Sequence, residues 1–140
     1  MVSQEILEGT WKLISSHRTD EATGATLDTF GPAPTGFITY GKDGRMMVLI
    51  VQGDRPRSRS MAVMTDEQRV RLFGSLMAYA GTYRFDGNTI EHRIDVSWNE
   101  VWSGTTQVRD VRREGGAVNG TVPCFAPYSD VHEHVRRAAQ

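Results

Sequence analysis

Apolar and polar residues alternate along most of the chain, and glycine turns break the alternation at short intervals. This is the pattern of half-buried strands joined by hairpins. From Gly9 to Ser16, Trp11, Leu13 and Ser15 share one face while Lys12, Ile14 and Ser16 share the other, which predicts a first strand. Thr19 to Thr35 is rich in Thr, Gly, Pro and Asp and reads as a loop that runs over the surface or covers an opening. A strand follows at Gly36 to Tyr40, then the turn Gly41-Lys42-Asp43-Gly44 and a strand from Arg45 to Gln52. The Asp-Gly step supplies positive φ at little cost and closes a hairpin.

The polar, Arg-rich stretch from Gly53 to Ser60 is a linker. Thr65-Asp66-Glu67-Gln68 then has the form of a capping box, with acids at the positive end of a helix dipole. Val70, Phe73 and Met77 recur at helical spacing with Leu72 and Leu76 beside them, which predicts one amphipathic helix from Thr65 to Met77, about three turns long. Tyr79 to Phe85, the turn Asp86-Gly87-Asn88 and Thr89 to Ser97 form a second hairpin. Ser97 to Gly104 is an aromatic connection holding Trp98 and Trp102. Strands at Thr105 to Arg113, Ala117 to Val122 and Ser129 to Arg137 complete the set. The result is an all-β chain of about eight short antiparallel strands with one helix. Eight such strands close into a barrel whose interior holds side chains or one small ligand, and a two-sheet sandwich gives the same alternation.

The length, 140 residues, fits a single domain over residues 1–140. A domain of this size buries roughly 68–70% of its unfolded surface and folds without a metal or disulfide. Sixteen basic residues face seventeen acidic ones for a net charge of −1, and they are interspersed, so no field over the whole chain attracts nucleic acid or anionic lipid. The one cysteine, Cys124, cannot form an internal disulfide, and no apolar run reaches the roughly 18 residues of a membrane span. Met1 to Glu8 lacks the basic and apolar character of a signal peptide. The cytoplasm is the expected compartment, with an exported form whose leader has been removed left open.

The opening Leu7-Glu8-Gly9-Thr10-Trp11-Lys12-Leu13 resembles the first strand of the bacterial and fungal lipocalin-like domain family, whose Gly-X-Trp start is shared with the wider lipocalins. The similarity continues at Phe30-Gly31, Gly36-Phe37-Ile38-Thr39-Tyr40, Asp43-Gly44-Arg45-Met46, Tyr79-Ala80-Gly81-Thr82-Tyr83, His92 and Trp102-Ser103-Gly104-Thr105-Thr106-Gln107-Val108-Arg109. The resemblance implies a single antiparallel eight-stranded barrel, with roles that range from ligand carriage to cyclisation and isomerisation in natural-product pathways. It also implies that Arg136 or Arg137 packs over Trp11 and closes the barrel floor, although Val131-His132-Glu133-His134-Val135 departs from the apolar ending of the family.

Among polar residues, His92 lies with Ile90, Ile94 and Val96 on one face of its strand, opposite Glu91, Arg93 and Asp95, so alternation aims its imidazole inward. Two readings stand: a core histidine satisfied by a backbone carbonyl or a tyrosine, or a pocket group serving as general acid/base or ligand anchor. Gln107 and Arg109 share a face with Thr105 and Val111, and an inward Arg109 suits a carboxylate or enolate. Val108 makes the other face partly apolar too, so an outward Arg109 in a surface pair is the alternative. Tyr40, Tyr79 and Tyr83 read as barrel wall, each phenol needing a hydrogen-bond partner. Trp98 and Trp102 read as rim residues. His132 and His134 share a face, but no metal site is expected, Cys124 lacks a nucleophile's surroundings, and no phosphate loop or nucleotide fingerprint occurs.

Two functions follow. The first is a binding protein that holds a small, largely apolar molecule against Tyr40, Met46, Val48, Phe73, Tyr79, Tyr83, Ile90, Ile94, Trp102 and Gln107. The second is a cofactor-independent isomerase, cyclase or dehydratase in which His92 moves a proton while Arg109, Gln107 or a tyrosine stabilises an oxyanion. No cofactor is expected. The expected partner is a small molecule rather than nucleic acid or membrane, and a homodimer is left open.

Overall fold

The computed structural model describes residues 5, 7–20, 22–31, 33–114, 117–123 and 128–137, with side chains described for 5, 7–17, 22–31 and 33–111. Strands dominate: β1 Gly9–Asp20, β2 Thr26–Asp28, β3 Thr35–Tyr40, β4 Arg45–Val51, β5 Leu76–Phe85, β6 Thr89–Ser97, β7 Thr106–Glu114, β8 Ala117–Pro123 and β9 Tyr128–Arg137. Among the described residues one α-helix, α1 Asp66–Gly74, lies between β4 and β5, and a 3-10 turn, Glu100–Trp102, lies between β6 and β7. Every strand pair is antiparallel, and the ladder runs β1-β3-β4-β5-β6-β7-β8-β9 and returns to β1 through β9. Eight strands therefore make the circuit of a β-barrel, the arrangement that leaves no long sheet edge exposed. The ninth, β2, folds back on β1 at His17 to Thr19. The expected loop from Thr19 to Thr35 is thus partly strand.

Alternation fills the interior. Ile38 and Tyr40 from β3, Met46, Val48 and Ile50 from β4, Met77, Tyr79 and Tyr83 from β5, and Ile90 and Ile94 from β6 are all buried. Burying each aliphatic side chain contributes roughly 1.5–3 kcal/mol. Two irregularities re-aim side chains. β1 carries an extra residue between Leu13 and Ser15, so Ser16 is buried rather than Ser15. β6 places two steps against one between Ala80 and Gly81 of β5, and Val96 is exposed instead of joining Ile94 inside. Strict period two predicts neither, because one bulged residue inverts every later face.

The helix also departs from expectation. Its capping box is present, Gln68 N–H donating to Thr65 Oγ1 at 3.1 Å and Thr65 N–H to Gln68 Oε1 at 3.0 Å. It ends at Gly74, however, and buries no residue. Val70 is 72% exposed and Phe73 half exposed, while Leu76 and Met77 belong to β5. The apolar stripe that suggests three turns is the start of a strand running on from a shorter helix.

The two ends of the barrel differ. At one end the Gly41–Gly44 turn lies beside the N-terminal segment, where Trp11 Nε1 donates to Leu7 O at 2.8 Å and the Tyr83 hydroxyl donates to Gly41 O at 2.8 Å. At the other end α1 spans from β4 to β5, Arg55 tethering it through Ser75 Oγ and Leu72 O. The β6–β7 ladder stops at Arg93 and Thr106, and the aromatic connection crosses the gap. Backbone register sets Trp11 opposite Arg137 and Lys12 opposite Arg136, while the side chains of Arg136, Arg137, His132 and His134, and all of Cys124, lie outside the described residues.

Candidate functional site

Three neighbouring strands build the centre of the barrel wall. Cross-strand partners share a face, and β6 and β7 pair His92 with Gln107 and Ile90 with Arg109. Since Ile90 is buried, Arg109 follows it inward; its exposure is 5%, that of Gln107 7% and that of His92 zero. The outward alternative for Arg109 is thereby excluded. Across β5, Tyr83 is register partner of His92, and Tyr40 ends β3 opposite Met46.

Two phenols hold the imidazole. The Tyr40 hydroxyl lies 2.8 Å from His92 Nε2, and the Tyr79 hydroxyl 2.8 Å from Nδ1. Arg109 Nη2 donates to the Tyr79 hydroxyl oxygen at 2.9 Å. An oxygen already accepting from a cation is a poor second acceptor, so Tyr79 directs its own proton to Nδ1. The histidine then carries its proton on Nε2 and donates it to Tyr40. Burial, and secondarily the Arg109 charge, holds the imidazole well below its ordinary value of 6.5, so the ring is neutral at physiological pH.

Rings connect this cluster to the surface. The ring centroid of Phe73 on α1 lies 6.1 Å from that of Trp98, Trp98 meets Trp102 edge to face at 5.5 Å, and Trp102 lies 5.7 Å from Tyr79. Tyr79 lies 5.8 Å from His92, His92 5.6 Å from Tyr40, and Tyr40 4.8 Å from Tyr83. Trp98 Nε1 also donates to Phe73 O at 3.3 Å.

The structure thus brings Tyr40, Tyr79, His92 and Arg109 into one bonded network, with Gln107 beside His92 in register and Met46, Val48, Ile90 and Ile94 in the surrounding core. Trp102 sits at the margin of that core, and Phe73 stands outside it on the helix. Alternation names each buried member but does not join them, because the bonds span β3, β5, β6 and β7. The bridging of both ring nitrogens by tyrosines is the arrangement of a satisfied core histidine. Among the described residues no group of three or more His, Cys, Asp or Glu is placed to hold a metal, and no helix is long and apolar enough to cross a membrane.

A solved lipocalin-like protein from Bacteroides uniformis aligns over 94% of this chain and 98% of its own, with 15% identity and a TM-score of 0.49. A mutant of the fluorescent protein UnaG aligns over 99% of this chain and 100% of its own, with 17% identity and a TM-score of 0.47. A second UnaG mutant gives 14% and 0.44 over the same shares. No curated protein matches the chain. The family model of the lipocalin-like domain matches residues 8–136, and by that match across nearly its whole length the chain belongs to the lipocalin-like domain family.

Proposed function

We propose that the barrel binds a small, largely apolar molecule whose anionic or carbonyl oxygen is received by Arg109 and Gln107. One observation carries this reading: a guanidinium 5% exposed, beside Gln107 and His92, on the inner face of a largely aliphatic and aromatic wall. A cation is costly to bury there, and hydrogen bonding to an oxygen-bearing ligand offsets the cost. His92 then serves as a positioning group, since both nitrogens are engaged by phenols. Lipocalin-like membership supports small-molecule binding in general.

The second reading, a cofactor-independent isomerase, cyclase or dehydratase, is favoured by the same bridge. A neutral imidazole accepts a proton at one nitrogen and releases one at the other, so His92 connects Tyr40 and Tyr79 as a relay. Under this reading a tyrosine, not His92 itself, meets the substrate.

A matched dye pair tests the binding reading. Anilinonaphthalene-8-sulfonate and N-phenyl-1-naphthylamine share their rings and differ in the sulfonate. Fluorescence titration of the wild type is expected to give at least about tenfold tighter binding of the sulfonate. Arg109→Gln removes that preference while leaving the neutral dye unchanged, with near-UV circular dichroism reporting that the fold is intact. Equal binding of both dyes, unaffected by Arg109→Gln and by Gln107→Leu, overturns the proposal.

A further inference from the structure

The outer face of the wall is apolar where β3, β4, β5 and β6 lie side by side. Register places Phe37, Leu49 and Ala78 in one row across the first three of these strands, and Thr39, Met47, Ala80 and Val96 in the next row across all four. Their neighbours Ile38, Met46, Val48 and Tyr79 fill the core, so alternation turns this set toward solvent. Phe37, Met47, Leu49 and Val96 are between 42% and 65% exposed. Val96 joins the set through the β6 bulge, which inverts its face. The four large side chains therefore form one contiguous patch, the feature that separates an interaction surface from singly scattered surface hydrophobes.

Relief and charge select the occupant. Met47 and Leu49 make a ridge along β4, and the small side chains of Ala78 and Ala80, their register partners, make a groove along β5. Val96 forms its far bank. A ridge beside a groove of equal length is self-complementary: a two-fold axis between β4 and β5, parallel to both, lays the ridge of each copy along the groove of the other. Phe37 on β3 then comes beside Val96 of the second copy. Next to the apolar rows Arg45 forks across β5 to Asp95, and the two side chains remain 45% and 53% exposed. The same axis sets the two forks head to tail, so each Arg45 lies between its own Asp95 and that of the second copy, and opposite charges meet twice. A lipid surface matches the ridge but not the fork. Four strands about 4.8 Å apart and four outward rows about 6.8 Å apart give a footprint of about 500 Å² per copy in plan. A standard interface takes about 800 Å² per partner, so the pairing is reversible rather than obligate.

We infer that the outer face of β3, β4, β5 and β6 is an isologous interface, through which two copies of the chain associate reversibly about a two-fold axis. Sedimentation velocity of the wild type from about 5 to about 500 μM is expected to move from monomer toward dimer. Leu49→Lys, on the ridge, holds the chain monomeric with its near-UV circular dichroism unchanged, whereas Val70→Lys, an equally apolar and exposed position on α1, leaves the dimer intact. Arg45→Asp and Asp95→Arg each weaken association by at least about tenfold. An equimolar mixture of those two variants regains it, because carboxylates of one copy then face guanidiniums of the other. A monomer at every concentration, including one that co-sediments with phosphatidylcholine vesicles, overturns the proposal. So does a dimer indifferent to Leu49→Lys, or a mixture that associates no better than its two components.

Discussion

Arg109 sets the direction of the hydrogen bonds in the buried cluster. By donating to Tyr79 it fixes which nitrogen of His92 accepts, and by its charge it opposes protonation of the ring. The consequence is a dependence of stability on pH. In the unfolded chain the imidazole takes up a proton near its ordinary 6.5, whereas in the folded barrel it does so only at much lower pH. Between those values the unfolded state binds more protons, so stability falls as the pH falls, by up to about 1.4 kcal/mol per pH unit for this one group. Above pH 7 the contribution is constant. Denaturant melts at pH 7.5, 6.5, 5.5 and 5.0 are expected to show this decline in the wild type and a flatter profile in His92→Leu, whatever that variant's absolute stability. Parallel profiles for the two proteins contradict a neutral, buried His92. In the sequence, alternation suffices to turn His92 inward with Ile90, because they are adjacent on one short strand. The Tyr40 and Tyr79 bonds depend on the reach of long side chains from other strands, which no local pattern encodes.

At the scale of elements, the two bulges decide which residues the barrel keeps inside. The β6 bulge brings its backbone against β5 so closely that a Cβ built on Gly81 lies 1.8 Å from Arg93 O. On the outer face Arg45 reaches from β4 across β5 to Asp95, its two N–H···O contacts at 2.6 and 3.0 Å. This exposed fork holds the carboxylate low and the guanidinium high, but screening by water leaves it little worth to stability. Gly81 is the firmer determinant. Gly81→Ala forces backbone apart and is expected to destabilise by more than about 3 kcal/mol, read by chemical denaturation; a loss under about 0.5 kcal/mol, the range of an ordinary surface change, contradicts the close approach. The hairpins at Asp43-Gly44 and Asp86-Gly87 were legible because glycine at positive φ is a local requirement, met at 82° and 107°. The inversions at Ser16 and Val96 were not, because a bulge is set by the neighbouring strand. The helix was legible at its start, where Thr65 and Gln68 cap each other, and illegible at its end, where apolar spacing runs on into β5.

The whole molecule presents apolar residues on two sides of its wall. Inside are Met46, Val48, Ile90 and Ile94; outside, exposed, are Met47, Leu49, Val70 and Val101. An apolar probe has both destinations open to it, and affinity alone does not tell them apart. Whether a ligand occupies the barrel interior is read from intermolecular nuclear Overhauser effects between bound anilinonaphthalene-8-sulfonate and methyl-labelled protein. Contacts are expected from the dye rings to the methyls of Met46, Val48, Ile90 and Ile94. Contacts confined to Met47, Leu49, Val70 and Val101 contradict an interior site.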